Sequence, residues 1–368
     1  AQIIETCRQS NAQPHVLPAV KFKSRVERTT VGEMDTVVLS SATPSGRVVW
    51  YLHGGAYIFQ ASEFHWQMLD RLVQTTNATV IATIYPLAPN HHAAEVIPAL
   101  RAVYAAIVAQ TAPANVYIAG DSAGGGLALA VAQDLRDQQL PQPAQLWLLS
   151  PWLDIAMSNP DAVPLDAGDA LLSIPGLVLA GQQWQADLDA RHPWVSPLYG
   201  DLQGVAPLAM WVGTGIGGGL ILNGQLWRGP LHTAGEVGHV IMFPGAGPGH
   251  RKLEEHCSRT AMVRSMLMLI GHYPESMLRE FLKPGEDGAE PSIGSGVIAE
   301  CCEKGDPLVT SVVNASADLL GLAIANLIAH FTTAWASIAT VPAVAVALLA
   351  LLRARGLCWS ELGLGREH

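Results

Sequence analysis

Ser122 lies in Gly120-Asp121-Ser122-Ala123-Gly124-Gly125, directly after the apolar run Val116-Tyr117-Ile118-Ala119. A strand that enters a sharp glycine turn and then a helix lifts a serine hydroxyl clear of a sheet. Such a hydroxyl becomes a nucleophile for acyl transfer once a base removes its proton. About 65 residues upstream, His53-Gly54-Gly55-Ala56-Tyr57 follows the strand-like Arg47-Val48-Val49-Trp50-Tyr51-Leu52. Backbone N–H groups in a glycine turn can approach a developing oxyanion because no side chain intervenes. Ser122 is therefore the candidate nucleophile. The N–H groups of Gly54, Gly55 and Ala123 are the candidate oxyanion donors.

These residues need strands and helices to place them. Apolar runs predict strands at Thr36–Ser40, Val48–Leu52, Thr79–Ile84, Val116–Ala119, Gln145–Leu149 and Leu208–Val212. Helical patterns lie between them, at Phe64–Thr75, Ala94–Gln110 and Gly124–Gln138. Strand–helix alternation with apolar strands predicts an α/β fold with a mostly parallel sheet covered on both faces. The proline-rich stretch 150–207 reads as an insertion over the carboxyl edge of that sheet, where ligands bind in such folds.

The texture changes after Val212. Gly213-Thr214-Gly215-Ile216-Gly217-Gly218-Gly219 leads into Leu220-Ile221-Leu222, then Asn223-Gly224, then Gln225-Leu226-Trp227. Asn-Gly between apolar runs predicts a hairpin. Gly213, Gly215 and Gly218 also have the spacing of a dinucleotide fingerprint, but that motif must open a helix, so NAD binding is rejected. Helices are predicted over Ala261–Ile270 and Pro307–Phe331.

Composition narrows the function classes. The 368 residues carry a formal net charge of −10, which argues against a nucleic-acid partner. Apolar residues make up 49% and charged residues only 14%. The five cysteines are scattered with no C-x-x-C pair, so neither a zinc ribbon nor a disulfide framework is expected. The first residues, Ala1–Glu5, lack the basic start and apolar core of a signal peptide, and a cytoplasmic location is expected. Thr332–Leu352 is nearly all apolar, long enough to span a bilayer, and followed by Arg353 and Arg355. Membrane association through 332–352 is the alternative to a buried helix.

Residues of about 25–213 resemble the hormone-sensitive-lipase-like branch of the α/β hydrolases. The resemblance rests on the HGG motif at His53–Gly55, on Tyr85-Pro86-Leu87-Ala88-Pro89, and on the GDSAGG elbow at Gly120–Gly125. Ser150-Pro151-Trp152-Leu153-Asp154 and Val195-Ser196-Pro197-Leu198 are similar to its later landmarks. It implies an esterase acting on a small-molecule acyl ester without a cofactor or metal. The family's acid and histidine should follow the elbow in that order. After Leu208–Thr214, however, no carboxylate occurs until Glu236, and none of His232, His239, His250, His256, His272 and His330 has the family's surrounding pattern. Impaired activity is therefore expected.

Residues of about 212–331 resemble the ROK sugar kinases. Gly213–Gly219 looks like their second phosphate loop, and Ala234-Gly235-Glu236-Val237-Gly238-His239 looks like their G-E-x-G-H motif. The resemblance implies phosphate binding by Gly215, Gly217 and Gly218, and sugar binding by Glu236, His239 and Glu254. ATP and Mg²⁺ enter only under this alternative. The family's cysteine-rich zinc motif is missing, so no structural zinc is expected. Its amino-terminal half, with the first phosphate loop and the catalytic aspartate, is also missing, so phosphoryl transfer lacks its positioning elements. Residues 332–368 weakly resemble the region after an early membrane helix in CAAX-protease-like proteins.

The expected division is an α/β-hydrolase-like domain at 1–212, a ROK-like segment at 213–331 and a hydrophobic tail at 332–368. Both families plausibly share the letters Val212-Gly213-Thr214, so the switch there suggests a chimera, and a non-functional artificial chimera is a third reading. Such a junction threatens to leave the hydrolase sheet with a bare edge after Leu208–Val212.

Overall fold

A computed structural model describes residues 2–166, 172–212, 217–222, 225–227, 241–243, 245–247, 250–282, 293–316 and 319. The first seven strands are β1 (Arg25–Val31), β2 (Met34–Ser40), β3 (Val48–Leu52), β4 (Thr79–Thr83), β5 (Val116–Asp121), β6 (Gln145–Leu149) and β7 (Leu208–Val212). They are followed by β8 (Gly217–Leu222) and β9 (Gln225–Trp227). Among the described residues they form one sheet in the order β1-β2-β4-β3-β5-β6-β7-β8-β9. The central strands β4, β3, β5, β6 and β7 run parallel, and antiparallel pairs close both ends.

Every residue of β3 is buried, as are Val116–Gly120 of β5. That burial is why both read as unbroken apolar runs, since a parallel strand is covered on two faces. Helices α1 (Gln2–Asn11), α2 (Glu63–Thr76), α3 (Ala93–Val108) and α4 (Ser122–Asp137) precede the insertion. α4 starts directly after the last residue of β5 and is buried from Ala123 to Leu135. Its alanines and glycines let the helix backbone lie close on the sheet.

β1 has no counterpart among the predicted strands. It is an edge strand, exposed along most of its length, with the polar sequence RVERTTV. No apolar alternation marks it, and pairing with β2 is what makes it a strand. The insertion 150–207 contains α5 (Val163–Asp166) and α6 (Ile174–Gln185).

The expected break after Val212 is not a break in the sheet. β8 pairs antiparallel with β7, from Leu208↔Ile221 to Val212↔Gly217, and covers the edge of the parallel strands. β9 then folds back on β8 with Leu222 opposite Gln225, as the intervening Asn223-Gly224 predicts. A strand, not a helix, therefore follows the glycine spacing that mimics a dinucleotide fingerprint.

Beyond the sheet come α7 (Glu254–Cys257), α8 (Arg259–Leu269), α9 (Leu278–Phe281) and α10 (Ser295–Glu303), with a further helical stretch over 307–316. They share a small core of Met266, Leu278, Ile293, Cys301, Leu308, Val309 and Val312. The buried Asp306 caps the last of these helices: it accepts from Val309 N–H at 2.9 Å and from Met277 N–H at 2.7 Å. The tail 332–368 lies outside the described residues. Among the described residues no helix is long and apolar enough to cross a membrane.

Candidate active site

Ser122 sits where β5 turns into α4, and its φ is +48°. A non-glycine residue in that left-handed region costs free energy and persists only where the surroundings impose it. Here they do. Ser122 C=O accepts from Trp152 N–H at 2.8 Å, and a Cβ at Gly124 would run into the carbonyl oxygens of Leu52 and His53. The helix thus crosses the end of β3 at a distance only glycine permits, and the serine is carried on the turn between β5 and α4.

The loop 53–59 after β3 is the facing wall. Gly55, Ala56 and Tyr57 have φ of +123°, +51° and +63°, so three successive residues adopt the left-handed side of backbone space. Glycine suits the first of these, and packing holds the other two. Tyr57 is buried and stacks on Trp184 of α6, with centroids 4.5 Å apart and planes 4° apart. Its centroid is also 5.5 Å from that of Trp152. Asn11, at the end of α1, donates to the carbonyls of Ile58 and Ala88, each at 2.9 Å.

Asp121, next to the candidate nucleophile, ties this wall to the elbow. Its Oδ1 accepts from Gly54 N–H at 2.8 Å and from the Tyr51 hydroxyl at 2.5 Å. Its Oδ2 lies 3.3 Å from His65 Nε2. Burial works to raise the Asp121 carboxyl, but the bonds from His65, Tyr51 and Gly54 outweigh it and hold the group below its ordinary value. Burial and the neighbouring Asp121 charge push the Tyr51 phenol up, so it remains a donor.

Gly54 therefore departs from its expected role. Its N–H is committed to Asp121 and does not face an oxyanion. Among the described residues, no hydrogen bond engages the N–H of Gly55, Ala56 or Ala123. Ala56 was not singled out by sequence, because its positive φ comes from packing in the loop.

His53 is structural. It is buried and stacks on Tyr85 at 4.5 Å, and Tyr85 hydroxyl donates to its carbonyl at 2.6 Å. Its Nδ1 is 2.7 Å from Gly54 O, while the buried Nε2 has no hydrogen-bond partner. Burial lowers its pKa to about 4, against an opposing pull from the Gly54 carbonyl, so the ring is neutral at physiological pH.

Among the described residues no histidine is hydrogen-bonded to Ser122. His256 Nε2 instead lies 2.8 Å from His250 O. His232, His239 and His330 lie outside the described residues, as do Glu236 and Gly215. Gly217 and Gly218 stand in the β7–β8 ladder opposite Val212 and Trp211, flanking the connection 213–216. Glu254 begins α7.

This chain resembles known proteins over the part that carries the site. Residues 49–215 match the model for the alpha/beta hydrolase fold. A Staphylococcus aureus protein of known crystal structure is 31% identical, with 57% of this chain and 72% of that one aligned at a TM-score of 0.55. The chain belongs to the α/β hydrolases. A hormone-sensitive lipase from a metagenome library aligns at 26% identity and a TM-score of 0.52, over 57% of this chain and 72% of that one. A triacylglycerol lipase of Mycobacterium tuberculosis is 36% identical over 205 residues, 55% of this chain and 42% of that protein. An acetyl-hydrolase of Streptomyces hygroscopicus is 35% identical over 186 residues, 50% of this chain and 62% of that protein. The chain thus spans about half the length of these two relatives. Residues 200–336 match the ROK family, and the two matches overlap at 200–215, around Val212-Gly213-Thr214. The chain thus matches the hydrolase model over its first part and the ROK model over the part that follows.

Proposed function

We propose that the chain is a serine esterase-type hydrolase for short acyl esters, with Ser122 as nucleophile. The observation that carries this reading is Ser122 on a positive-φ turn beside the unengaged N–H groups of Gly55, Ala56 and Ala123. Attack of Ser122 Oγ on an ester carbonyl makes a tetrahedral oxyanion, which Ala123 N–H and Gly55 N–H stabilise, with Ala56 N–H as a further donor. The serine proton passes through solvent to the departing alkoxide, which leaves as the alcohol, and water then adds to the acyl-serine, releasing the acid and returning a proton to Ser122 Oγ. Gly54 holds the loop to Asp121 and does not donate to the oxyanion. With no histidine paired to Ser122 among the described residues, the expected rate is low. An oxyanion hole and binding alone retain roughly 10³–10⁴-fold over water. In this reading the hydrolase part ends near residue 212, and no cofactor takes part.

A fluorophosphonate probe tests this. Modification of Ser122 found by mass spectrometry, and absent in Ser122→Ala, supports the esterase. Absence of labelling in folded protein removes it.

The ROK match favours a second reading for the remainder, a sugar- or nucleotide-binding module at the glycine-rich connection 213–216, with Gly215, Gly217 and Gly218 toward phosphate and Glu236, His239 and Glu254 toward sugar hydroxyls. Titration calorimetry with glucose and with Mg-ATP tests it, and no heat of binding for either removes it. Association with a membrane through 332–352 is a separate proposal. Vesicle co-sedimentation that persists after that segment is deleted would overturn it.

A further inference from the structure

His65 lies in the first turn of α2, and its two ring nitrogens have two different partners. Nδ1 lies 2.9 Å from Ser62 N–H and 2.8 Å from Ser62 Oγ. A backbone N–H can only donate, so Nδ1 is the bare, accepting nitrogen. In the neutral ring the proton is then on Nε2, which donates to Asp121 Oδ2 at 3.3 Å. The tautomer is thus set by one bond and used by the other. The ring itself is held: its side chain is 17% exposed, and it packs at 6.0 Å from His53 and 6.5 Å from Tyr51.

We infer that His65 is a positioning residue for the acyl-transfer site, acting through Asp121 on the Gly54–Gly55 loop; the functional importance of that loop rests on the esterase reading. Asp121 has two oxygens and receives three donors from three separate elements. Tyr51 from β3 and Gly54 from the loop share Oδ1, and His65 from α2 takes Oδ2. Without the last, the carboxylate is free to turn its Oδ2 to water. The Oδ1 that holds Gly54 N–H turns with it. The peptide that follows Gly54 carries the N–H of Gly55, so a loosened Gly54 misaims the oxyanion donors. A donor misplaced by even one ångström loses much of its effect on the transition state.

The alternative is that His65 only fills space and caps α2, a role its contact with Ser62 fits. Two substitutions separate the roles. In His65→Asn the amide oxygen reaches the place of Nδ1 and keeps the contact with Ser62, but nothing reaches Asp121. In His65→Gln the amide nitrogen reaches the place of Nε2 and keeps the donor to Asp121. His65→Ala removes both and enlarges the small cavity of about 10 Å³ that His65 lines with His53 and Trp66.

Amide hydrogen exchange at Gly54, read by NMR in the full chain, decides between them without any catalytic turnover. His65→Asn should speed exchange at Gly54 at least tenfold while leaving the buried amides of Leu129 and Val131 unchanged. His65→Gln should restore Gly54 to within about twofold of the wild type. An unchanged rate in His65→Asn overturns the inference, as does equal acceleration in the asparagine and glutamine variants. Nitrogen-15 shifts of the His65 ring should show a bare Nδ1 and a protonated Nε2, and the opposite tautomer would also overturn it. Failure of the wild type to react with a fluorophosphonate would remove the esterase reading, yet the Gly54 exchange rates would still decide whether His65 holds the loop.

Discussion

The Gly54 amide donates to the Asp121 carboxylate at 2.8 Å, so the residue before the proposed nucleophile Ser122 fixes the loop 53–59. This charge-assisted bond joins two segments 67 residues apart in the chain, beside the β3–β5 ladder and the Tyr51 hydroxyl bond.

Removing that acceptor should weaken the fold. Asp121→Ala leaves Gly54 N–H and the buried Tyr51 hydroxyl without a partner, at about 1–3 kcal/mol. Asp121→Asn keeps one acceptor oxygen and should cost less. The native carboxyl lies below its ordinary value, so its contribution is present above about pH 4 and is lost as pH falls through the native pKa. Urea midpoints between pH 2.5 and 6 should show a steeper acid loss in the wild type than in Asp121→Asn; equal slopes would contradict this.

His53 sets a second pH window with its own sign. Its pKa falls from 6.5 to about 4 in the folded chain, so the unfolded state takes up the proton first. Stability should therefore rise between about pH 4 and pH 6.5 and be flat above, an effect of about 3 kcal/mol. His53→Asn should remove that segment of the profile. An imidazole titration by NMR with a midpoint near 6.5 would refute the premise.

The turn at Ser122 stores strain that glycine would release. Ser122→Gly should raise the unfolding free energy by about 1 kcal/mol, while Ser122→Ala, which keeps the left-handed strain, should not. Both should be inert to fluorophosphonate. Calorimetric melting curves of the three proteins side by side make the comparison, and a glycine variant no more stable than the alanine one would count against an imposed conformation.

Gly124→Ala should be far more damaging than an ordinary helix substitution. The added methyl meets backbone oxygens of Leu52 and His53, which cannot rotate away. A loss of about 1–3 kcal/mol is expected from such overpacking, although alanine is the better helix former. Chemical denaturation that places this variant at or above wild-type stability would show that α4 can move off β3.

The sequence by itself marked the candidate nucleophile, the glycine loop, and every parallel strand of the sheet. Those features are local: a buried strand must be apolar along its length, and a turn at positive φ beside a close helix needs small residues, so the letters around Val48–Leu52 and Val116–Gly125 carry them directly. It also marked the hairpin at Asn223-Gly224, because two-residue turns demand that chemistry. The tertiary structure alone decided which N–H groups remain for an oxyanion. Gly54 and Gly55 look alike in the sequence, but only Gly54 lies against a carboxylate delivered by β5. Likewise β1 is a strand because β2 offers it partners, and β8 covers β7 although the family resemblance changes between them. His65 gave no signal in the chain, since its meaning is a distance to Asp121, and distances between residues far apart in sequence exist only once the sheet has brought them together.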